Sequence, residues 1–394
     1  LVPITSPPVN GGVVSIAEGQ IVRIGNSAES GFRLYDLGDV ALLPGFVNAH
    51  THLEFSALPA PLGEPGVSLP NWIQMVIASR KQRSETSRAI RRGLVESARA
   101  GVTTIGDIAT SAYPKALSEL SAEVVAFQEV IGFSSARRDS VFSELQARLA
   151  AEQKNKTVGI SPHAPYTVHP DLLSRLVELA DERRLPMAMH LAESREELQL
   201  LGENRGPFRE LLEGRSMWDD DVFARRLKPL DYLLQLSAAP RALIIHGNYL
   251  DAEELDFVAA NDHLAIVYCP RTHHFFGHDN YALADMLKRG ANVAVGTDSR
   301  ASNPDLSVLA ELQFIAKQFA DLNSQQILRL GTIAGARALG MDHRVGSLEV
   351  GKRANLTAVP CTSTDDPMSA ILHDGSKVAR TWIAGREVTA GRAV

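Results

Sequence analysis

Short apolar runs alternate along this chain with longer stretches of helical periodicity. The runs at 42–48, 103–108, 124–130, 158–161, 187–191, 242–246, 264–268 and 293–296 are rich in Val, Ile, Leu and Ala and read as buried strands. Between them apolar residues recur at helical spacing, as in Leu172, Leu173, Leu176, Val177, Leu179 and Ala180. Eight such strands joined by helices predict an α/β protein, a (β/α)8 barrel whose active site is built by the loops after the strands. The two ends read differently. Short strand-like runs at 13–16, 20–24 and 33–37, and again at 355–359, 378–383 and 387–389, are separated by glycine-bearing turns. They predict a small β-sandwich made by the terminal segments 1–43 and 344–394, beside a barrel over 44–343. The connection at about 195–240 is overlong for a barrel loop. With its helical Phe208 to Leu212 stretch and its Asp219-Asp220-Asp221 turn, it predicts a cap over the barrel mouth.

Composition narrows the function. The net charge is −6, and the basic clusters Arg80-Lys81-Gln82-Arg83 and Arg88 to Arg92 fall in helix-like sequence and read as solvated faces. No basic stripe with interleaved aromatics is present, which argues against nucleic acid as a partner. No apolar run approaches the roughly twenty residues of a membrane span. Two cysteines, Cys269 and Cys361, cannot form a disulfide framework, so the default setting is reducing and cytoplasmic. The chain begins at Leu1, and its visible start is not a signal peptide, although a trimmed leader stays open. The expected partner is a small-molecule substrate, with a homodimer as an assembly the sequence allows.

The chemistry concentrates at the ends of the apolar runs. His50-Thr51-His52 closes the first, His190 and Glu193 leave the fifth, His246 ends the sixth, and Asp298 follows the eighth. His50 and His52 are two apart on a strand, so both side chains project to one side. Imidazoles and a carboxylate delivered from strand ends are what a divalent cation needs, with one position open for water. A carboxylate three residues past a ligand can shuttle the proton when that water attacks. The competing role for Glu193 is a helix N-terminal carboxylate stabilised by the dipole. His246 either binds the metal or polarises the water. A charged Asp298 at a strand end is costly unless it meets a cation. Zinc is the default for this nitrogen and oxygen set, and ferrous iron fits it as well.

These residues, with the Pro44-Gly45-Phe46 lead-in and the Gly346 to Leu356 stretch near the C-terminus, resemble the amidohydrolase superfamily, in particular its deaminase and chlorohydrolase-like branch. The resemblance spans nearly the whole chain. It implies that His50, His52, His190 and Asp298 bind one metal, that Glu193 shuttles protons, and that His246 orients or deprotonates the water. Binuclear members carry a bridging lysine, usually on the fourth strand. That strand here leads into Ser161-Pro162-His163, and Lys156 lies before it, so one metal is expected. His163 is similar to a position that contacts substrate in purine-type deaminases, and Trp72 falls where relatives place an aromatic helix beside the pocket. Glu54-Phe55-Ser56 and the Gly206 to Leu211 stretch resemble aminodeoxyfutalosine deaminases, which act on an adenine-bearing compound. Two departures leave the substrate open. Cys269-Pro270 is followed by Arg271-Thr272-His273-His274 rather than leading to a Ser-Asn pair, and Ile73-Gln74-Met75 replaces the acidic residue that S-adenosylhomocysteine deaminases use to read ribose. His273 and His274 are rim residues or ligands of a second ion, and Arg137 after the third strand is a candidate for an anionic substrate group. The implied reaction is hydrolytic deamination: activated water adds to the amidine carbon of a heteroaromatic ring, Glu193 protonates the ring nitrogen, and ammonia leaves. The alternatives are hydrolysis of a cyclic amide, a ureide or an s-triazine, and, more remotely, a silent metal-binding scaffold.

Overall fold

The computed structural model describes residues 1–394 except 29, 82–84, 112–121, 152–156, 221, 223–225, 363–365 and 389–394. After a hairpin of β1 (Val13–Ala17) and β2 (Gln20–Gly25), the chain meets the first long apolar run and divides it. The single strand expected over 42–48 is two strands, β3 (Val40–Pro44) and β4 (Phe46–Thr51), which belong to different sheets. Gly45 is the corner. A Cβ there would lie 2.2 Å from Thr103 Oγ1, so only glycine lets the chain turn against its neighbour.

From β4 onward the strands pair in chain order. They are β5 (Val102–Ala109), β6 (Glu123–Val130), β7 (Thr157–Pro162), β8 (Met187–Leu191), β9 (Ala242–His246), β10 (Leu264–Tyr268) and β11 (Asn292–Val295), all parallel. Each begins and ends within one residue of its expected bounds. Alternate residues fill the interior, where Val47, Ala49, Val125, Phe127, Leu243, Ile245 and Val267 form one apolar cluster. The opposite faces pack on helices. The early ones are α1 (Leu69–Lys81), α2 (Thr86–Arg99), α3 (Arg138–Ala151) and α4 (Pro170–Arg183), whose Leu172, Leu173, Leu176 and Leu179 are buried as their spacing predicts. Segment 195–240 carries α5 (Arg195–Glu203), α6 (Pro207–Glu213) and α7 (Pro229–Leu236). Phe208 of α6 stacks on Tyr166 in the loop after β7, with ring centroids 4.0 Å apart. Asp221 of the expected turn lies outside the described residues.

The barrel is closed by a seam between β4 and β11, and it is made largely of side chains. Thr51 and Asp298 form a single parallel bridge. Asn48 Nδ2 donates to Thr297 Oγ1 at 2.8 Å, and the Thr297 N–H donates to Asn48 Oδ1 at 3.1 Å. The N–H groups of Thr297 and Asp298 both donate to the His50 carbonyl at 3.1 Å, and Thr51 Oγ1 donates to the Asp298 carbonyl at 2.7 Å. Glycines on both neighbouring segments let β4 in. A Cβ on Gly106 would lie 2.4 Å from the Ala49 carbonyl oxygen, and one on Gly296 would lie 2.8 Å from the His50 oxygen.

At the ends, β12 (Leu356–Pro360), β13 (Arg380–Ile383) and β14 (Arg386–Glu387) form an antiparallel sheet with β3, in the order β14-β13-β12-β3. Ile21 of the hairpin shares an apolar cluster with Leu42, Leu356 and Ala358, so hairpin and sheet pack together. The strand expected at 33–37 is absent: Leu34 and Tyr35 are 66% and 64% exposed, and no strand pairs with them among the described residues. Thr389 lies outside the described residues. Among the described residues no helix is long and apolar enough to cross a membrane.

Gly296→Ala places a methyl group against the His50 backbone. We expect it to cost about 1–3 kcal/mol and to lower the divalent metal bound per chain, measured by denaturation and by metal analysis of the purified variant.

Candidate metal centre and its surroundings

The seam delivers the candidate ligands. His50 lies at the end of β4, His52 just past it and Asp298 in the turn beyond β11, with His50 Nε2 and His52 Nε2 at 3.5 and 3.6 Å from Asp298 Oδ1. His190 is the last residue but one of β8, and His246 ends β9. The ring centroids of His50 and His190 are 5.0 Å apart, and those of His50 and His246 are 5.7 Å apart. Two overlapping groups, His50 with His190 and His246, and His50 with His52 and Asp298, each bring their ligand atoms within 4.8 Å of one another. His246 therefore stands within reach of the position the other four surround.

The chemistry of this donor set fits a cation. Both ring nitrogens of His50 and Nδ1 of His52 are buried without a hydrogen-bond partner among the described residues. Burial, reinforced by neighbouring imidazoles, pushes the pKa of His52 and of His190 well below the ordinary value. Burial does the same to His246 against the pull of Asp298. Neutral rings offer lone pairs rather than charge. Burial alone would raise the Asp298 carboxyl, but nearby His50 and His246 and the Ser302 hydroxyl, 2.7 Å from Oδ2, hold it below its usual range. His190 Nδ1 pairs with the His163 carbonyl at 3.0 Å, which makes Nδ1 the protonated nitrogen and leaves Nε2 for a metal. Such orphaned lone pairs around an ionised carboxylate are costly without a positive ion among them.

Three residues at these strand ends adopt left-handed backbone: Ala192 (φ 52°), His246 (φ 69°) and Asp298 (φ 52°). Asp and His tolerate this conformation better than most residues. It turns the chain sharply over the barrel mouth, and at Ala192 it sets up Glu193. Glu193 Oε1 lies 3.3 Å from His246 Nε2, and the carboxyl belongs to neither ligand group. Burial first, then the nearby charges of Asp298 and Glu197, push its pKa well above normal. Glu197 on the first turn of α5 was not singled out from the sequence. Its two oxygens accept the N–H groups of Ala192 and Glu193, each at 2.9 Å, and clamp the turn from below.

The rim residues divide. His163 stands beside the centre, its ring centroid 5.0 Å from that of His190. Trp72 is half-buried, donates its indole N–H to the Ala301 carbonyl at 3.0 Å and packs edge-on against Phe276. Glu54 is joined to Arg80 and accepts from Thr110 Oγ1 at 3.1 Å. That pairing corrects the reading of Arg80 as a solvated charge; Gln82 and Arg83 lie outside the described residues, as does Lys156. Arg137 is exposed on the turn Ser135–Arg137 and takes no part in the contacts of the centre. His273 and His274 point opposite ways. His273 is buried against Tyr268, Tyr281 and His278, whereas His274 is exposed beside Phe314. Neither belongs to a ligand group among the described residues. His278, also missed in the sequence, meets the Tyr249 hydroxyl at 3.2 Å, and burial lowers its pKa to about 4. No spacing rule finds Glu197 or His278, because each acts through a partner brought near only by folding.

Glu197→Gln replaces one carboxylate oxygen with an N–H2 group facing a backbone N–H. We expect a loss of about 1–3 kcal/mol in stability and a lower kcat with bound metal retained, checked by denaturation, steady-state kinetics and metal analysis.

Similarity to known proteins agrees with this geometry. The chain is 29% identical over 379 residues to a 5-methylthioadenosine/S-adenosylhomocysteine deaminase of Moorella thermoacetica, covering 91% of this chain and 83% of the relative. It is 28% identical over 370 residues to an aminodeoxyfutalosine deaminase of a Nitratiruptor species, covering 88% and 86%. The crystal structure of Helicobacter pylori aminofutalosine deaminase with methylthio-coformycin superposes with a TM-score of 0.83 at 22% identity, over 97% of this chain and 96% of that one, and so shares the fold. The model of the amidohydrolase family matches residues 41–388, from the strand before the Gly45 corner to the last strand of the terminal sheet, and the chain belongs to that family.

Proposed function

We propose that this protein is a hydrolytic deaminase that releases ammonia from an aminated purine in a nucleoside-like small molecule, with aminodeoxyfutalosine-type compounds favoured. The observation that carries the reading is Glu193 Oε1 at 3.3 Å from His246 Nε2, a carboxyl beside, but outside, a set of neutral imidazoles around Asp298. His50, His52, His190 and Asp298 would hold the metal, zinc by the preference of such ligands. When bound, a divalent cation there supplies Lewis-acid activation of water at neutral pH.

The chain's own residues do the rest. The raised pKa suits Glu193 to take one proton of the water at Oε1 and deliver it to the ring nitrogen, where it stays in the product, while the water's other proton goes to the exocyclic amine, which leaves as ammonia. His246 Nε2 and Asp298 face the same water from the other side and manage its remaining proton. His163 Nδ1 pairs with Thr167 Oγ1 at 2.7 Å, and that hydroxyl donates to the Ala164 carbonyl at 3.1 Å. His163 therefore carries its proton on Nδ1 and presents Nε2 as an acceptor, and burial keeps the ring neutral by lowering its pKa to about 3. An acceptor so placed suits a donor on the substrate. The names of the relatives support an adenine-bearing nucleoside, and the Glu54-Phe55-Ser56 and Gly206 to Leu211 resemblances support the aminodeoxyfutalosine type.

Ammonia release by the zinc-loaded enzyme is to be measured on adenosine, 5′-methylthioadenosine, S-adenosylhomocysteine, aminodeoxyfutalosine, guanine, cytosine and an aminotriazine. Turnover confined to adenine nucleosides is expected; silence across the panel with metal bound would move the reading to amide, ureide or halide hydrolysis. Glu193→Gln should keep its metal and lose about 10²- to 10⁴-fold in kcat, whereas loss of the metal would make Glu193 a ligand. His163→Ala should lower kcat/KM by about 10- to 100-fold at unchanged metal content, and an unaltered enzyme would leave that side chain a structural one.

A further inference from the structure

Glu129 is a buried carboxylate that the deamination chemistry does not use. It holds the last interior position of β6: Val125 and Phe127, four and two residues earlier, lie in the cluster that fills the barrel. Strand alternation therefore points Glu129 into the mouth above Phe127. Its ladder partner on β7 is Ser161, two residues before His163. Glu129 is 7% exposed, yet its Oε1 has no hydrogen-bond partner among the described residues, and neither has Ser161 Oγ.

Arg80 of α1 faces it. Arg80 Nη2 is held by Glu54 Oε1 at 2.5 Å and stands 3.8 Å from Glu129 Oε2, outside hydrogen-bond reach. Its Nε is buried with no partner among the described residues. The two charges are close enough to the centre to be felt there, Arg80 by His52 and His163, and Glu129 by Tyr166. The mouth thus holds an unused carboxylate acceptor, an unused guanidinium donor and the Ser161 hydroxyl, all desolvated and without partners among the described residues, beside the proposed substrate contact His163. Unpaired buried groups of this kind destabilise a fold unless something satisfies them.

Their combination selects the ligand chemistry. A second cation is opposed by the Arg80 charge, and an anion is opposed by Glu129. A neutral hydroxyl meets neither objection, since it donates to a carboxylate and accepts from a guanidinium, and a vicinal pair of hydroxyls can engage both at once. We propose that Glu129 and Arg80 form a subsite that binds the sugar hydroxyls of the substrate, with Glu129 Oε1 accepting and Arg80 Nε donating, and that this subsite selects a ribonucleoside over its deoxy counterpart. The proposal rests on the nucleoside reading of the same site and names the part of the substrate that the rim recognises.

The test is ammonia release from adenosine, 5′-methylthioadenosine and aminodeoxyfutalosine and from the 2′,3′-dideoxy form of each, with bound metal measured in parallel. Wild type should prefer the ribo form by about 10- to 100-fold in kcat/KM, an arm that needs no variant. Glu129→Leu removes the acceptor, and Arg80→Lys keeps the charge on Glu54 but removes the Nε donor. Each should bring the ribo and dideoxy rates within about threefold of one another, by losing rate on the ribo form alone at unchanged metal content. Equal losses on both forms, or a preference that survives in both variants, would overturn the subsite while leaving nucleoside deamination in place. Turnover of no nucleoside by wild type would remove both readings together.

Discussion

The site depends on how the first barrel strand meets the last. β4 and β11 share only one bridge, Thr51 with Asp298, and the rest of the seam is made by the Asn48 side chain, the Thr51 hydroxyl and the doubly accepting His50 carbonyl. Because these same residues flank or are the proposed ligands, closing the barrel and assembling the candidate ligand set are one event. The two glycines beside β4 make that closure sterically allowed. A barrel that closed even a residue out of register would turn His50 and His52 away from Asp298.

The seam gathers groups that water would otherwise solvate, and their electrostatics follow from that exclusion. Imidazoles in a dry barrel mouth stay neutral, and Asp298 stays ionised because His50, His246 and Ser302 surround it. Glu193, in the same dry surroundings but facing two further carboxylates, is pushed toward its protonated form. Two carboxyl groups in one pocket thus take opposite tendencies, as the proposed roles of ligand for Asp298 and proton carrier for Glu193 require. The left-handed backbone at Ala192, His246 and Asp298 is part of the same design, since a residue in that conformation persists only where its surroundings determine it.

Farther from the centre the rim is built of paired charges rather than an apolar wall. Glu54, Arg80 and Glu129 join the ends of β4 and β6 through α1, and the tyrosines and histidines after β9 and β10 line the other side, with the Tyr281 hydroxyl donating to the His246 carbonyl at 2.9 Å. The first group lies beside the proposed substrate contact His163, the second behind the proposed proton carrier. On that proposal discrimination and chemistry draw on different strands, as barrel architectures permit.

Strand-length apolar runs and helical periodicity were enough to predict the eight parallel strands, because burial on both faces leaves a continuous apolar signature that no folding context alters. The strand-end positions of His50, His52, His190, His246 and Asp298 followed from the same runs, since a strand has only one way to present its last residues. Sequence did not show the break at Gly45, which depends on the distant Thr103, nor the absence of a strand at 33–37, where the pattern exists but no partner edge does. It also misread Arg80, whose helical surroundings look solvated until Glu54 and Glu129 are brought against it. Glu197, His278 and Glu129 remained hidden for one reason: each matters through a contact across the fold, a backbone N–H, a tyrosine hydroxyl or an unfilled position, and only tertiary structure decides which groups meet.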